Sequence, residues 1–375
     1  MEVAWHREYE NRTEVLDNGD GEMDKERLEF LKRLCETPSP SGFEQPAQRV
    51  IRERLDGLVD ELKVDLHGNL IAAKNPTGPC RVMIIGHCDE IGMIVKYISD
   101  GGYLRVDPIG GVDPNLLPGN RVTVHNAKGD VPGVVGKKAI HLMEREELDK
   151  GTKITQVWID IGAKNKKDAE KAVSVGDPVT IEAPFRMLRN DNAAARGFDD
   201  KVGAFVVAEV MAALHSRKVE VAVFGVSSVQ EELGLRGART SAFGIDPVVG
   251  IAIDVMHASD YPGGDKERTG EVVLGKGPTL CRGANINPVL GGLLIATAKK
   301  KKIPYQISAK AGATGTDANA LQITRAGVAA ALVEIPNRYM HTPVEVVSLK
   351  DLDNAIKLLV EFIAGLEPDT DFTPR

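Results

Sequence analysis

Cysteine is scarce in this chain: Cys35, Cys80, Cys88 and Cys281 are the whole complement, with no C-x-x-C pair and no regular spacing. Such a pattern offers neither a structural zinc site nor a disulfide framework, and reduced, buried thiols are the expectation. An excess of positive charge is also missing. The formal net charge of −7 argues against a nucleic-acid partner, because phosphate binding needs a basic surface. No uninterrupted apolar stretch reaches the roughly 20 residues that span a bilayer. The opening residues, MEVAWHREYENRTEVLDNGDGEMDKE, hold no apolar segment of the secretory kind. No membrane partner is therefore expected, and the chain reads as cytoplasmic. What remains is 42% hydrophobic and 27% charged, the balance of an ordinary globular protein, and 375 residues suffice for about two domains.

Residues 1–23 are polar and aperiodic and read as a loosely held extension, with the fold starting near Asp24. From Lys25 the pattern is helical, with Leu28, Leu31 and Leu34 on one face. SGFE (41–44) offers a capping box from Ser41 to Glu44 that would open a second helix. A hairpin, KVDLHGNLIAAK, turns at Gly68-Asn69. RVMIIGH (81–87) is the nearly continuous apolar run of a strand buried on both faces. Residues 92–183 change texture to short alternating segments rich in Val, Gly and Pro, such as NRVTVHN and TQVWIDIG, which is the pattern of a β-barrel. Beyond them helices and strands alternate again to the C-terminus. Such alternation predicts an α/β fold with a mostly parallel sheet: a catalytic domain from segments 24–91 and 184–375, interrupted by an inserted β-rich domain at 92–183.

In an open α/β sheet, ligands gather beyond the carboxyl ends of the strands. RVMIIG is followed there by His87 and Asp89, VAVFGVSSVQ by Glu231 and Glu232, VVGIAI by Asp254 and ALVEIPNRYM by His341, while Asp199 and Asp200 open the helix in GFDDKVGAFVVAEV. Any one of these acids is commonly a turn former or a helix N-cap, and a lone histidine is commonly a hydrogen-bonded core or surface residue. Together they would place several carboxylates in one crevice, which is costly unless a cation is present. His87 and Asp89 point the same way on an extended backbone and Cys88 the other, so the imidazole can bind a metal with the Asp89 carboxylate behind it. Two histidines with Asp199, Glu232 and Asp254 give nitrogen and oxygen donors without thiolate, a set for Zn²⁺, Co²⁺ or Mn²⁺ in a catalytic site. With one carboxylate bridging, five ligands serve two ions about 3.5–4 Å apart around a shared water. Of the adjacent glutamates 231 and 232, one can bind metal while the other moves the proton.

GHCDEIG (86–92), GFDDKVG (197–203), QEELGLRGA (230–238), AIDV (252–255), GTDANA (315–320) and RYMHTPVEVV (338–347), in this order, resemble the co-catalytic metallo-aminopeptidases of the glutamyl, or tetrahedral, aminopeptidase family, some of whose members carry an endoglucanase label. The likeness runs from about residue 24 to 367. It implies two divalent ions, Zn²⁺ or Co²⁺, one held by His87, Asp199 and Asp254 and the other by Asp199, Glu232 and His341, with Glu231 as catalytic base and Asp89 orienting His87. It further implies a zinc-peptidase-like domain with an inserted barrel or PDZ-like dimerisation domain, dimers assembling into a dodecameric tetrahedral shell, and short peptides as substrates.

GTDANA also places Gly315, Thr316 and Asp317 before a helical pattern; Asp317 reads equally as an N-cap or, with Gly315 and Thr316, as the wall of a peptide pocket. Lys299–Lys302 ends a helix, where the dipole favours cations. Two other functions remain to be weighed: a glycoside hydrolase using Glu231 and a second acid, which needs no metal and leaves the histidines idle, and a peptide-binding assembly without turnover.

Overall fold

The computed structural model describes residues 23–145 and 150–375; the polar extension read at the N-terminus lies, but for Met23, outside them. Helix α1 (Lys25–Glu36) is capped by the Asp24 carboxylate, which accepts the Glu26 N–H at 3.4 Å. Helix α2 (Gln45–Leu55) follows, but the expected Ser41-to-Glu44 capping box does not form. The helix starts directly after Glu44 rather than after Ser41, so Glu44 takes the Gly42 N–H at 2.7 Å and the Ser41 hydroxyl is free to reach Asp89 at 2.7 Å.

Strands β1 (Glu61–Val64) and β2 (Leu70–Lys74) form the hairpin, and β3 (Arg81–His87) is the buried central strand. Six strands then close into an antiparallel barrel: β4 (Gly92–Ile98), β5 (Leu104–Ile109), β6 (Arg121–Val124), β7 (Val131–Lys137), β8 (Val157–Asp160) and β9 (Pro178–Ile181), in the order β4-β5-β8-β7-β6-β9. Alternate residues such as Met93, Val95, Leu104, Val106, Val122 and Val124 fill its interior and give it a core of its own.

The chain returns through β10 (Arg186–Met187), β11 (Asn192–Ala195), α3 (Phe198–Ala213), β12 (Ala222–Ser228), α4 (Arg236–Ile245), β13 (Val249–His257), β14 (Thr279–Gly283), α5 (Pro288–Lys301), β15 (Gln306–Lys310), α6 (Asp317–Gln322), β16 (Ala329–Arg338), β17 (Glu345–Ser348) and α7 (Leu349–Ala364). The resulting 11-stranded sheet has the order β1-β2-β12-β3-β13-β16-β17-β11-β10, with β14 and β15 branching from β16. Parallel pairing is confined to the central β12, β3, β13 and β16 and to β14–β15; the remaining pairs are antiparallel. The expected mostly parallel sheet is thus corrected to a mixed one. Helical crossovers join the central strands, whereas short returns such as 65–69 and 339–344 reverse the chain and permit only antiparallel neighbours.

Val82 and Ile84 of β3 point into one core and Met83 and Ile85 into the other, so the centre of the sheet is covered on both faces. Helix α3 lies very close to β3. A Cβ on Gly86 would stand 2.4 Å from the Gly203 carbonyl carbon, and this close approach sets the acidic start of α3 over the end of β3. Among the described residues no helix is long and apolar enough to cross a membrane.

Candidate metal centre

Because β12, β3, β13 and β16 run in the same direction, their carboxyl ends share one edge, and every acid and histidine singled out at a strand end arrives there. His87 ends β3 and is 1% exposed; Asp254 lies within β13 and is 6% exposed. Glu231 and Glu232 follow β12, and His341 follows β16. From the side, the start of α3 brings Asp199, whose peptide bond to Asp200 is cis. Its two carboxylate oxygens face two different histidines: Oδ1 is 3.3 Å from His87 Nε2 and Oδ2 is 3.1 Å from His341 Nε2. Glu232 Oε1 stands 3.4 Å from His341 Nε2, and Glu231 Oε2 3.7 Å from His87 Nε2. Two groups result, His87–Asp199–Asp254 and Asp199–Glu232–His341, each with donor atoms within 4.8 Å of one another and both sharing Asp199.

These side chains do not suit one another without a positive charge between them. Burial, reinforced by Asp254, Asp317 and Asp199, pushes the Glu231 carboxyl up to about 10. Burial and the charge of Asp199 raise Asp254 well above the carboxylate range, and burial raises Glu232. Asp199 goes the other way: burial opposes its charge, but the His341 and His87 imidazoles hold it low. Hydrogen bonds to Asp199 and then Glu232 lift His341 to about 11. Each of these shifts has the same cause, a surplus of buried carboxylate that calls for positive charge. Glu232 Oε1 is moreover buried with only the His341 ring, at 3.4 Å, beside it. A nitrogen-and-oxygen donor set of this kind, buried and over-charged, fits divalent cations of the Zn²⁺ or Co²⁺ type.

Around this cluster lies a ring of groups that hold it in place. Asp89 accepts the Ser41 hydroxyl at 2.7 Å and the Glu231 and Glu232 N–H groups at 3.0 and 3.3 Å, with one oxygen 3.4 Å from His87 Nδ1. Three residues in this ring were given no role from the sequence. Glu345, at the start of β17, accepts the Asp199 N–H and the His341 N–H, each at 2.9 Å. Asp200 accepts the His87 N–H at 3.1 Å and the Gly203 N–H at 3.0 Å. Glu90 pairs with the fully buried Lys201 at 2.8 Å and with Arg196 at 3.1 Å. Asp200 had only its place beside Asp199 to mark it; Glu345 lies in a quoted motif, yet nothing in its spacing separates it from a surface acid.

A cavity of about 450 Å³ opens on the cluster, lined by Asp199, Glu231, Glu232, Asp254, His341, Gly315 and Thr316 among others. Asp317 is not in its wall. Thr316 rather than Asp317 caps α6, and the Asp317 carboxylate accepts the Ser228 hydroxyl at 2.7 Å. His257 also lines the cavity.

Comparison with known proteins identifies the class. A family model described as M42 glutamyl aminopeptidase matches residues 68–358. The lysyl aminopeptidase of Pyrococcus furiosus is 40% identical over 352 residues, covering 92% of this chain and 99% of that protein. Among solved structures, the TET aminopeptidase of a marine sediment archaeon, Thaumarchaeota archaeon SCGC AB-539-E09, matches with a TM-score of 0.87 at 36% identity, over 92% of this chain and 98% of its own. The Pyrococcus horikoshii TET1 peptidase, described as assembling into a tetrahedron or a large octahedral shell, matches with a TM-score of 0.82 at 31% identity, over 91% and 100%. The protein is thus a peptidase of the aminopeptidase class, and the chain belongs to the M42 glutamyl aminopeptidase family.

Proposed function

We propose that this protein is a dinuclear metal-dependent aminopeptidase that removes N-terminal residues from short peptides. The observation that carries the reading is the pair of Asp199 oxygens turned to His87 and His341, which makes one carboxylate common to two candidate sites. His87, Asp199 and Asp254 would hold one ion and Asp199, Glu232 and His341 the other, Zn²⁺ or Co²⁺ in each. Bound there, the ions would supply Lewis acidity, making water a nucleophile near neutral pH and polarising the scissile carbonyl.

The remaining steps belong to the chain. Glu231 lines the cavity without belonging to either triad; it takes the proton from the attacking water and returns it to the departing amine. Asp89 fixes His87 and the backbone that carries both glutamates. Gly315 and Thr316 contact the peptide in the cavity wall, with Asp317 set behind them. Residues 92–183 act as the inserted dimerisation domain of a catalytic unit built from 24–91 and 184–375, and the protein works in the cytoplasm. The dimers assemble into a dodecameric shell, a reading supported by the tetrahedral assembly described for the Pyrococcus horikoshii relative.

A panel of aminoacyl-p-nitroanilides, run on metal-stripped protein and after adding back Zn²⁺ or Co²⁺, tests this reading. Turnover that returns with metal is expected. Chelator-resistant cleavage of carboxymethyl-cellulose would instead establish the glycoside hydrolase, and metal binding with no turnover of any substrate the non-catalytic assembly.

A further inference from the structure

Glu334 is a carboxylate that neither triad nor the proton transfer uses. It lies in β16, in register with Asp254 of the parallel neighbour β13, so the two side chains leave the sheet on the same face. It is 2% exposed and lines the same cavity of about 450 Å³ as Glu231 and Asp254. The Ser308 hydroxyl donates to its Oε2 at 2.6 Å. On its other flank Thr279 of β14 is in register with it, and the Thr279 hydroxyl is buried without a partner. Among the described residues Glu334 forms no ion pair. A carboxylate held in the wall of a substrate cavity by one hydroxyl and no counter-ion suits a cation brought by the substrate.

Lys310 lines the cavity too, and its charge acts on Glu334 from beyond ion-pairing distance. It is only half-buried, and its flexible four-carbon stem lets the ammonium withdraw, whereas Glu334 is held by the sheet and by Ser308. Burial pushes the Glu334 carboxyl up to about 7, so a cation set against it draws it into the charged form, and the anchored group rather than the mobile one sets the preference.

We propose that Glu334 is the specificity-determining residue of the cavity, pairing with the cationic side chain of an N-terminal lysine or arginine. This rests on the aminopeptidase reading and adds the substrate class to it. Removing the ammonium from such a substrate leaves Glu334 unpaired again, and sites built around a polar partner reject analogues that lack it.

The test compares lysyl-, norleucyl- and glutamyl-p-nitroanilide on metal-reconstituted protein, since lysine and norleucine differ at the side-chain terminus and share the α-amine. Lysyl turnover is expected to exceed norleucyl by about tenfold or more in kcat/KM. Glu334→Gln, which keeps the shape and an acceptor for Ser308, should abolish that ratio while norleucyl turnover stays within about twofold, and Lys310→Met should keep or raise the ratio. A uniform loss on all substrates in Glu334→Gln would assign the residue to the α-amine or to folding and overturn the proposal. So would a glutamyl preference that Lys310→Met removes. Calorimetric titration of the same reconstituted protein with L-lysine and L-norleucine reads the pairing without turnover. If no substrate is cleaved, the aminopeptidase reading fails, and tighter lysine binding that Glu334→Gln loses still supports the pairing, while equal binding of the two overturns it.

Discussion

The backbone carbonyl of Gly111 lies 3.2 Å from His341 Nδ1, so a loop leaving the barrel accepts a hydrogen bond from a histidine of the peptidase sheet. With Nδ1 donating, Nε2 is the nitrogen left free to bind, and it is Nε2 that faces Asp199 and Glu232. A Cβ on Gly111 would stand 2.6 Å from His341 Nδ1. Gly111→Ala is therefore expected to displace the imidazole and lower the affinity for one of the two proposed cations by about 10-fold or more, while the His87–Asp199–Asp254 group keeps the other. Metal content after gel filtration and titration calorimetry measure this. Unchanged stoichiometry and affinity would mean that the barrel loop does not position His341.

Glu231 belongs to neither candidate triad but lines the same cavity, so the proposed proton transfer can be tested apart from metal binding. Glu231→Gln keeps the shape and removes the base. Metal content should match the wild-type protein, and kcat should fall by at least about 10²-fold, the lower end of a general base's contribution. Full activity in this variant would remove Glu231 from that role.

Asp89 reaches the centre only through other groups: it receives two backbone N–H groups from the glutamate pair and stands behind His87. Asp89→Asn loses the charge and turns an amide N–H₂ towards donors. The expected result is a metal affinity lower by about 10- to 100-fold, with the folded far-UV spectrum retained. An effect on kcat with metal affinity intact would show that Asp89 acts on the reaction rather than on the ligands.

Much of this centre was legible because strand direction and strand ends can be read from one chain. A buried run such as RVMIIG, followed by His87, fixes both where the residue lies and which edge of the sheet it shares with Asp254, Glu231 and His341. Residues whose work is done by contact with distant backbone left no such trace. Glu345 holds two candidate ligands, Asp199 and His341, by their N–H groups, which becomes visible only when β17 is laid beside β11 and β16. The same limit explains Ser41: its spacing to Glu44 has the form of a capping box, yet its hydroxyl is drawn 48 positions along the chain to Asp89. Parallel pairing was over-read for a related reason, since helix-to-strand alternation reports the crossovers of the central strands and says nothing of the strands added at the edges.

Asp351, away from the metal centre at the start of α7, gives a pH dependence that can be measured on its own. It is fully buried and accepts the Gly275 and Gly277 N–H groups, each at 2.7 Å. Burial raises its pKa from 3.8 to about 6, against the lowering effect of those two hydrogen bonds. Between these values the unfolded chain has released the proton that the folded protein keeps. The stabilisation is therefore complete below the unfolded value and lost as pH rises through the folded one. With about 1.4 kcal/mol per pKa unit, the loss is on the order of 2–3 kcal/mol and flattens above about pH 6. Asp351→Asn cannot titrate, and its amide meets one of the two N–H groups with a donor, so the variant is less stable throughout. Its deficit relative to the wild-type protein should be largest near pH 4 and shrink by that amount towards pH 7, because the other titrating groups are common to both proteins. Urea unfolding of the two at matched metal concentration across this range measures the difference, and a deficit that stays constant with pH would show that Asp351 is already ionised in the folded protein at pH 4.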